Sequence, residues 1–266
     1  MTPHTQSFYT LESLQQLTSR AAFPWTIGVV FYGNHSALCR RFLEALYQYT
    51  DPEAFQLRAG MNAVCQETRE LVLEASDRYG NILVIDSEEN LYKNPMMRRL
   101  FYETPLETEW TIWFDDDSYV TGPHWMLDLS LAMEREPASE LFGHLMHVEV
   151  NAQLESFITT SEWYRGVPRR LHEEHGRPII RFPVGGFWAG RTERLLAIHW
   201  PDPRLTLYHE DFIMGEAMRQ NGVEPYPFDS GVRISDAPHR APMDIPKELP
   251  FKAPNETSSN ESGTFQ

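Results

Sequence analysis

Short apolar runs rich in valine, isoleucine and aromatics alternate with amphipathic helical patterns along most of this chain. That alternation narrows the available folds more than any other feature. The first run, residues 26–32 (Thr-Ile-Gly-Val-Val-Phe-Tyr), stops at Gly33-Asn34. A run this apolar, bounded by turn residues, suits a strand buried on both faces. Ser36 is placed to cap a helix carrying Leu38, Phe42, Leu46 and Tyr49 on one side. Further strands are expected at 55–61, 81–86 and 110–114, with helices at 67–78 and 95–102. This repetition predicts βαβ units, a mostly parallel sheet and right-handed crossovers. Beyond residue 120 the pattern predicts helices at 123–136, 192–199 and 209–220, the last ended by Asn221-Gly222, and a strand at 141–150. Residues 151–181 read as an irregular polar insertion over one face, and 182–190 as a glycine-rich turn between strands.

The chain has 266 residues, enough for one large domain with a sizeable core. The expected layout is an amphipathic extension at 1–24, with Leu11, Leu14 and Leu17 at helical spacing. A single domain follows at 25–246, and then a flexible Pro/Glu/Ser/Asn-rich tail at 247–266. With 23 Lys and Arg against 38 Asp and Glu the formal charge is −15, which argues against general nucleic-acid or anionic-membrane binding. Cys39 and Cys65 are too few for a disulfide framework or a cysteine-zinc cluster. No apolar run approaches the ~20 residues of a membrane span. Residues 1–20 lack a basic-then-apolar leader, so a soluble cytoplasmic protein is expected.

The strand at 110–114 runs straight into Asp115-Asp116-Asp117. Adjacent carboxylates repel and resist desolvation. A divalent cation would make the cluster favourable, and in an open α/β sheet ligands bind at the carboxyl ends of strands. Oxygen donors suit Mg²⁺ or Mn²⁺, which share their shells with substrate phosphates. The other reading is an acidic turn capping the helix after Pro123.

Trp113-Phe-Asp-Asp-Asp-Ser-Tyr-Val120 resembles the DxD motif of GT-A glycosyltransferases, particularly the Fringe-type β-1,3-glycosyltransferases. Three further motifs follow in the order of that fold: Gly185-Gly186-Phe187, Tyr208-His-Glu-Asp211 and Pro238-His239. Asn90-Leu-Tyr-Lys93 is similar to the Asn-x-Gly-Lys segment of bacterial GT-A enzymes. The resemblance implies a GT-A fold: a Rossmann-like, mostly parallel sheet flanked by helices, with a smaller acceptor-side sheet. Residues 25–120 would be the nucleotide-sugar half and 121–246 the acceptor half.

The activity implied is metal-dependent transfer of a sugar from a nucleotide-diphosphate donor, UDP-linked for preference, with inversion. The acceptor would carry a free hydroxyl: a glycan, a small molecule, a protein or a modified DNA base. Asp117 and His239 would hold Mn²⁺ or Mg²⁺, with His209 as the alternative ligand. Asp115 would touch ribose or sugar, and Asp116 would share the metal or support it. Asp211 would be the catalytic base; as a helix-start acid it would also be an ordinary first-turn residue with a lowered pKa. Phe31, Tyr32 and Gly33 would meet the base, and Asp86 the base or ribose. Lys93, Arg98 and Arg99 would face the diphosphate or simply be solvated. Gly185 and Gly186 would let backbone approach a sugar, on which Phe187 and Trp188 would stack unless they belong to the core. Competing readings are a sugar-nucleotide nucleotidyltransferase, an aspartate-dependent phosphohydrolase and a non-catalytic sugar-binding relative. The arginines at 165, 169, 170, 177 and 181 suggest that the insertion closes over the donor or grips an anionic acceptor.

Overall fold

The computed structural model of the chain describes residues 25–206 and 209–234. The expected N-terminal helix, the tail and His239 lie outside them. In chain order the strands are β1 (Trp25–Tyr32), β2 (Phe55–Asn62), β3 (Ile82–Ser87), β4 (Trp110–Asp115), β5 (Tyr119–Val120), β6 (Leu141–Glu149), β7 (Arg170–Leu171), β8 (Pro178–Arg191), β9 (Tyr226–Pro227) and β10 (Val232–Arg233). The α-helices are α1 (Ser36–Tyr49), α2 (Gln66–Tyr79), α3 (Lys93–Tyr102), α4 (Trp125–Arg135), α5 (Ala152–Thr159), α6 (Thr192–Ala197) and α7 (Glu210–Gln220). None of the described helices is long and apolar enough to cross a membrane.

The main sheet has the order β3-β2-β1-β4-β8-β6-β9, with β7 paired to β8. β1 runs parallel to β2 and β4, and β2 parallel to β3. β8 is antiparallel to both β4 and β6, and so joins the second half of the chain to the same sheet. β5 and β10 form a separate two-stranded ribbon. The mostly parallel α/β architecture expected from the strand–helix alternation is what the chain adopts.

β4 shows why its sequence is apolar throughout. Ile112 and Phe114 face one core cluster and Trp113 faces the other, so both sides of the strand are buried. The Phe114 ring meets Phe42 of α1, Trp125 of α4 and Phe187 of β8 edge-on, at 5.6, 5.8 and 5.0 Å. These contacts fix the strand end that carries the aspartates.

Two expectations are corrected. Residues 182–190 are not a turn: β8 runs unbroken from Pro178 to Arg191. Glycine and proline in that stretch mimic turn chemistry, but the strand is held by ladders on both sides. Residues 143–145 of β6 stand opposite 183–188 of β8, so β8 carries extra chain there. This bulge pushes Gly185 and Gly186 out of the β6 ladder.

The insertion is also more ordered than its polarity suggests. Asn151 caps α5 by accepting from Leu154 N (2.8 Å), and Leu154 and Ile158 are buried. Its arginines are largely paired: Arg169 with Glu155 and Glu216, Arg170 with Glu224, and Arg177 with Glu149. The segment is therefore not a free basic face.

Glu216 is fully buried on α7, where it accepts from both Arg169 and Arg219 at 2.9 Å. Removing one member of such a network strands the others without a counter-charge. Glu216→Ala is expected to cost about 3–5 kcal/mol, seen as a lower urea midpoint. The exposed Arg170–Glu224 pair should cost under about 1 kcal/mol when broken by Arg170→Ala. Equal losses in the two variants would contradict this.

Candidate active site at the end of β4

Asp115, the last residue of β4, sits where the parallel strands end. Trp113 Nε1, two residues back on the strand, donates to Asp115 Oδ1 at 3.0 Å. Lys93 Nζ, at the start of α3, contacts the same oxygen at 2.7 Å. The lysine also reaches Glu210 Oε1 at 2.6 Å, at the start of α7. One ammonium thus joins three elements that are distant in sequence. Burial alone would lower the Lys93 pKa, but the charges of Asp115, Glu210 and Asp211 outweigh it and hold the group well above its usual range.

Asp211 lies beside Glu210. Its Oδ2 accepts from the backbone N–H of Gly185 at 2.8 Å. A Cβ on Gly185 would stand 3.1 Å from both carboxylate oxygens, so glycine lets the strand approach the acid this closely. At Gly186 a Cβ would meet Ser118 Oγ at 2.8 Å and Ile234 Cγ2 at 2.6 Å. The β8 bulge therefore seats both glycines against the acidic turn and α7.

Burial raises the Asp211 pKa to about 7, and Glu210 and Asp115 add to the rise; Lys93 and the Gly185 N–H pull the other way. The expected lowering by the helix N-terminus is overridden. A carboxyl raised in this direction is suited to act as a general base.

The rest of the triplet divides. The turn is closed by Ser118 N–H donating to Asp115 O at 3.0 Å. Asp116 and Asp117 are both buried. Burial, reinforced by the Asp116 charge, pushes the Cys39 thiol up to about 12. The Asp117 carbonyl accepts from Arg41, whose guanidinium lies 4.4 Å over the Tyr119 ring. The triplet caps no helix, since α4 begins at Trp125 with His124 at its N-cap. Among the described residues, the aspartates do not bring three ligating atoms together into a closed metal cage.

The other named residues fall in different places. Phe31 is buried in the core against Phe42 (5.7 Å). Tyr32 lies edge-on to His35 at 5.2 Å, and Gly33 turns the chain at φ +60. Asp86 pairs with Arg69 through Oδ2, while its Oδ1 is buried without a hydrogen-bond partner. Arg98 donates to the carbonyls of His199 and Pro201, and Arg99 to Asp86 O and Glu103. Phe187 and Trp188 are core residues, Trp188 stacked on Trp113 at 6.2 Å. His209 has φ +77 at the mouth of α7, and its ring lies 5.0 Å from Phe212. Burial lowers its pKa, against the charge of Glu210.

Sequence reasoning missed Trp113 and the pairing of Glu210 with Lys93. Trp113 was legible in principle, because residues two apart on a strand share a face. Glu210 needed the α3–α7 juxtaposition.

Asp211 also makes a stability prediction. Its ordinary pKa is 3.8 and its folded value about 7. Between those values the folded chain holds a proton that the unfolded chain has released. Stability from this group therefore falls as pH rises through that window. Asp211→Asn keeps an acceptor for Gly185 N–H and removes the penalty. Its melting temperature should exceed wild type at pH 8, with the gap closing toward pH 4. A variant less stable at pH 8 than at pH 4, relative to wild type, would contradict the raised pKa.

No family model matches the chain, and no curated protein matches it in sequence. Solved structures do match in shape. The mannosyltransferase PcManGT from Pyrobaculum calidifontis, solved with GDP-Man and Mn²⁺, superposes with a TM-score of 0.57 at 12% identity, over 85% of this chain and 63% of that one. TarS residues 1–349 of S. aureus gives 0.52 at 16% identity, over 77% and 58%. GalNAc-T7, solved with UDP, GalNAc and Mn²⁺, gives 0.56 at 12%, over 79% and 43%. The chain thus spans less than two thirds of the length of each of these solved chains. Together with the sheet order and helix placement, these likenesses show that the chain has the GT-A fold.

Proposed function

We propose that the chain is a metal-dependent glycosyltransferase that moves a sugar from a nucleotide-diphosphate donor to an acceptor hydroxyl with inversion. The observation that carries this reading is the placement of Asp211: a buried carboxyl held on Gly185 N–H beside the Asp115–Lys93–Glu210 group at the end of β4, where burial raises its pKa. The GT-A fold supports it, as do the ligands of two structures of similar shape, GDP-Man with Mn²⁺ and UDP with GalNAc and Mn²⁺.

In this reading Asp211 takes the acceptor hydroxyl's proton as that oxygen attacks the anomeric carbon. The bond from that carbon to the diphosphate oxygen breaks, and the diphosphate leaves with its electrons. Lys93 does not grip the diphosphate directly; it holds Asp115 and Glu210 in place and limits how far their charges raise Asp211. Asp115 keeps Oδ2 for a ligand, since both of its contacts above use Oδ1. Tyr32, Gly33 and Asp86 line the donor's base and ribose. The orphaned Asp86 Oδ1 supports that role, because a buried acceptor without a donor is costly and a base or ribose donor would satisfy it. Asp117 with His239 would hold Mn²⁺ or Mg²⁺, Asp116 supporting them, and the cation would neutralise the leaving diphosphate. An acidic turn that closes no cage of its own fits such an ion, whose shell is completed by substrate oxygens.

A screen of UDP- and GDP-sugars with Mn²⁺, read as nucleotide release, tests the assignment. Release should stop with chelator. Asp211→Asn should lower kcat about 10²–10⁴-fold with donor affinity nearly unchanged. Asp117→Asn should lose donor affinity and rate together. Near-wild-type turnover in Asp211→Asn would remove it as the base, and a retained anomeric configuration in the product would exclude inversion.

A further inference from the structure

A second group of ligating side chains lies outside the Asp115–Asp211 cluster, on the hairpin between β7 and β8. The hairpin closes tightly. His172 N–H donates to Arg177 O at 2.8 Å, and Gly176 N–H returns to His172 O at 2.9 Å, with Gly176 at φ +63. This turn gathers His172, Glu174 and His175. One ligating atom of each lies within 4.8 Å of the others, the only such group of His, Cys, Asp or Glu among the described residues. The two imidazoles are stacked, 4.7 Å apart and 8° from parallel.

The sheet supplies a third imidazole. Across the antiparallel ladders, Glu149 and Arg170 both stand opposite Ile179, and His147 stands opposite Arg181. Opposed residues share a face and alternate residues return to it. His147, Glu149 and His172 therefore project to the same side, with Ile180 buried on the other. The His147 ring lies 5.4 Å from that of His172.

We propose that His172, Glu174 and His175, with His147 in reach as a fourth ligand, form a binding site for a zinc-class transition-metal ion. Imidazole nitrogens with one carboxylate oxygen are a zinc donor set, and four ligands complete its tetrahedral shell. The same donors suit Mg²⁺ poorly, since that ion prefers oxygen, so this site is distinct in chemistry from the aspartate turn. His172 Nδ1 accepts from Glu174 N–H at 3.2 Å, a long bond that is easily given up to an ion. Glu149 is engaged by Arg177 at 2.8 Å and is not counted as a ligand. The side chains of His175 and Glu174 are 55% and 77% exposed, which gives an ion its path in.

A bound ion would tie the hairpin tip to β6, where β7 itself makes only the pairs Arg170↔Ile179 and Leu171↔Pro178. Glu149, two residues from His147 on β6, also lines a cavity of about 180 Å³ with Leu154, His209 and Phe212. Loading the hairpin would therefore stiffen one wall beside the start of α7. The proposal stands independently of the glycosyltransferase reading.

The test is Zn²⁺ titration of the full chain by calorimetry, with Co²⁺ absorption reporting the ligand geometry. Wild type should bind one equivalent that the His172→Ala/His175→Ala double variant loses, and each single variant should weaken binding at least about 10-fold. Bound Co²⁺ should give the intense visible bands of tetrahedral coordination, and Zn²⁺ should slow proteolysis within 170–178 in wild type only. Both substitutions are on an exposed turn, and unchanged circular dichroism checks the fold. Undiminished Zn²⁺ affinity in the double variant, no saturable binding in wild type, or only weak octahedral Co²⁺ bands would overturn the site.

Discussion

The candidate site depends on one partly buried cation. Lys93 stands between the carboxylates of Asp115 and Glu210 at 2.7 and 2.6 Å, with Asp211 close enough to feel its charge. Without it, three acids from β4 and α7 would face one another at the end of a hydrophobic sheet, where like charges are least tolerated. The lysine must therefore be placed accurately, and the loop before it is built for that. Asn62, at the end of β2, accepts from Leu91 N at 2.8 Å and donates to Asn90 Oδ1 at 3.0 Å, and that oxygen accepts from Tyr92 N at 2.9 Å. Tyr92 takes a positive φ of 64 to start α3 at Lys93.

The second constraint is closeness of backbone. A strand carrying side chains at positions 185 and 186 would keep α7 and the acidic turn at a distance. Glycine at both positions removes that barrier and turns the Gly185 N–H into a donor for Asp211. The bulge against β6 frees this stretch of β8 from one ladder, while its later residues stay paired to β4 up to Phe114↔Phe187. The same strand thus serves the sheet at both ends and the site in its middle. The Arg169–Glu216–Arg219 network then anchors the far side of α7 to the inserted segment.

Much of the first half was legible in the sequence because each strand there is a continuous apolar run between turn residues. Helix and strand periods were kept cleanly from Trp25 to Phe114. The second half was harder for physical reasons. In β8, Pro183 with Gly185-Gly186 has turn-like composition, and only pairing with β4 and β6 makes it a strand. Residues 151–181 carry many charges that look solvated until their partners on α7 and β6 are known. Local sequence placed Asp211 at a helix start, where the dipole lowers a pKa. It carried no information on the burial of that carboxyl or on Asp115 arriving from β4, which together with the adjacent Glu210 reverse the sign. Phe31 and Trp188 were ambiguous for the same reason: an aromatic on a strand serves a ligand or the core according to its neighbours.

The most direct measurement is the titration of the Asp211 carboxyl carbon by NMR, assigned by its absence in Asp211→Asn and compared between wild type and Lys93→Met. The wild-type midpoint should lie at about 7. Removing the lysine should move it higher, because the neighbouring carboxylates then act without their counter-charge. A midpoint in the ordinary range, about 4, in both proteins would contradict a lysine-held cluster that poises Asp211 as a base.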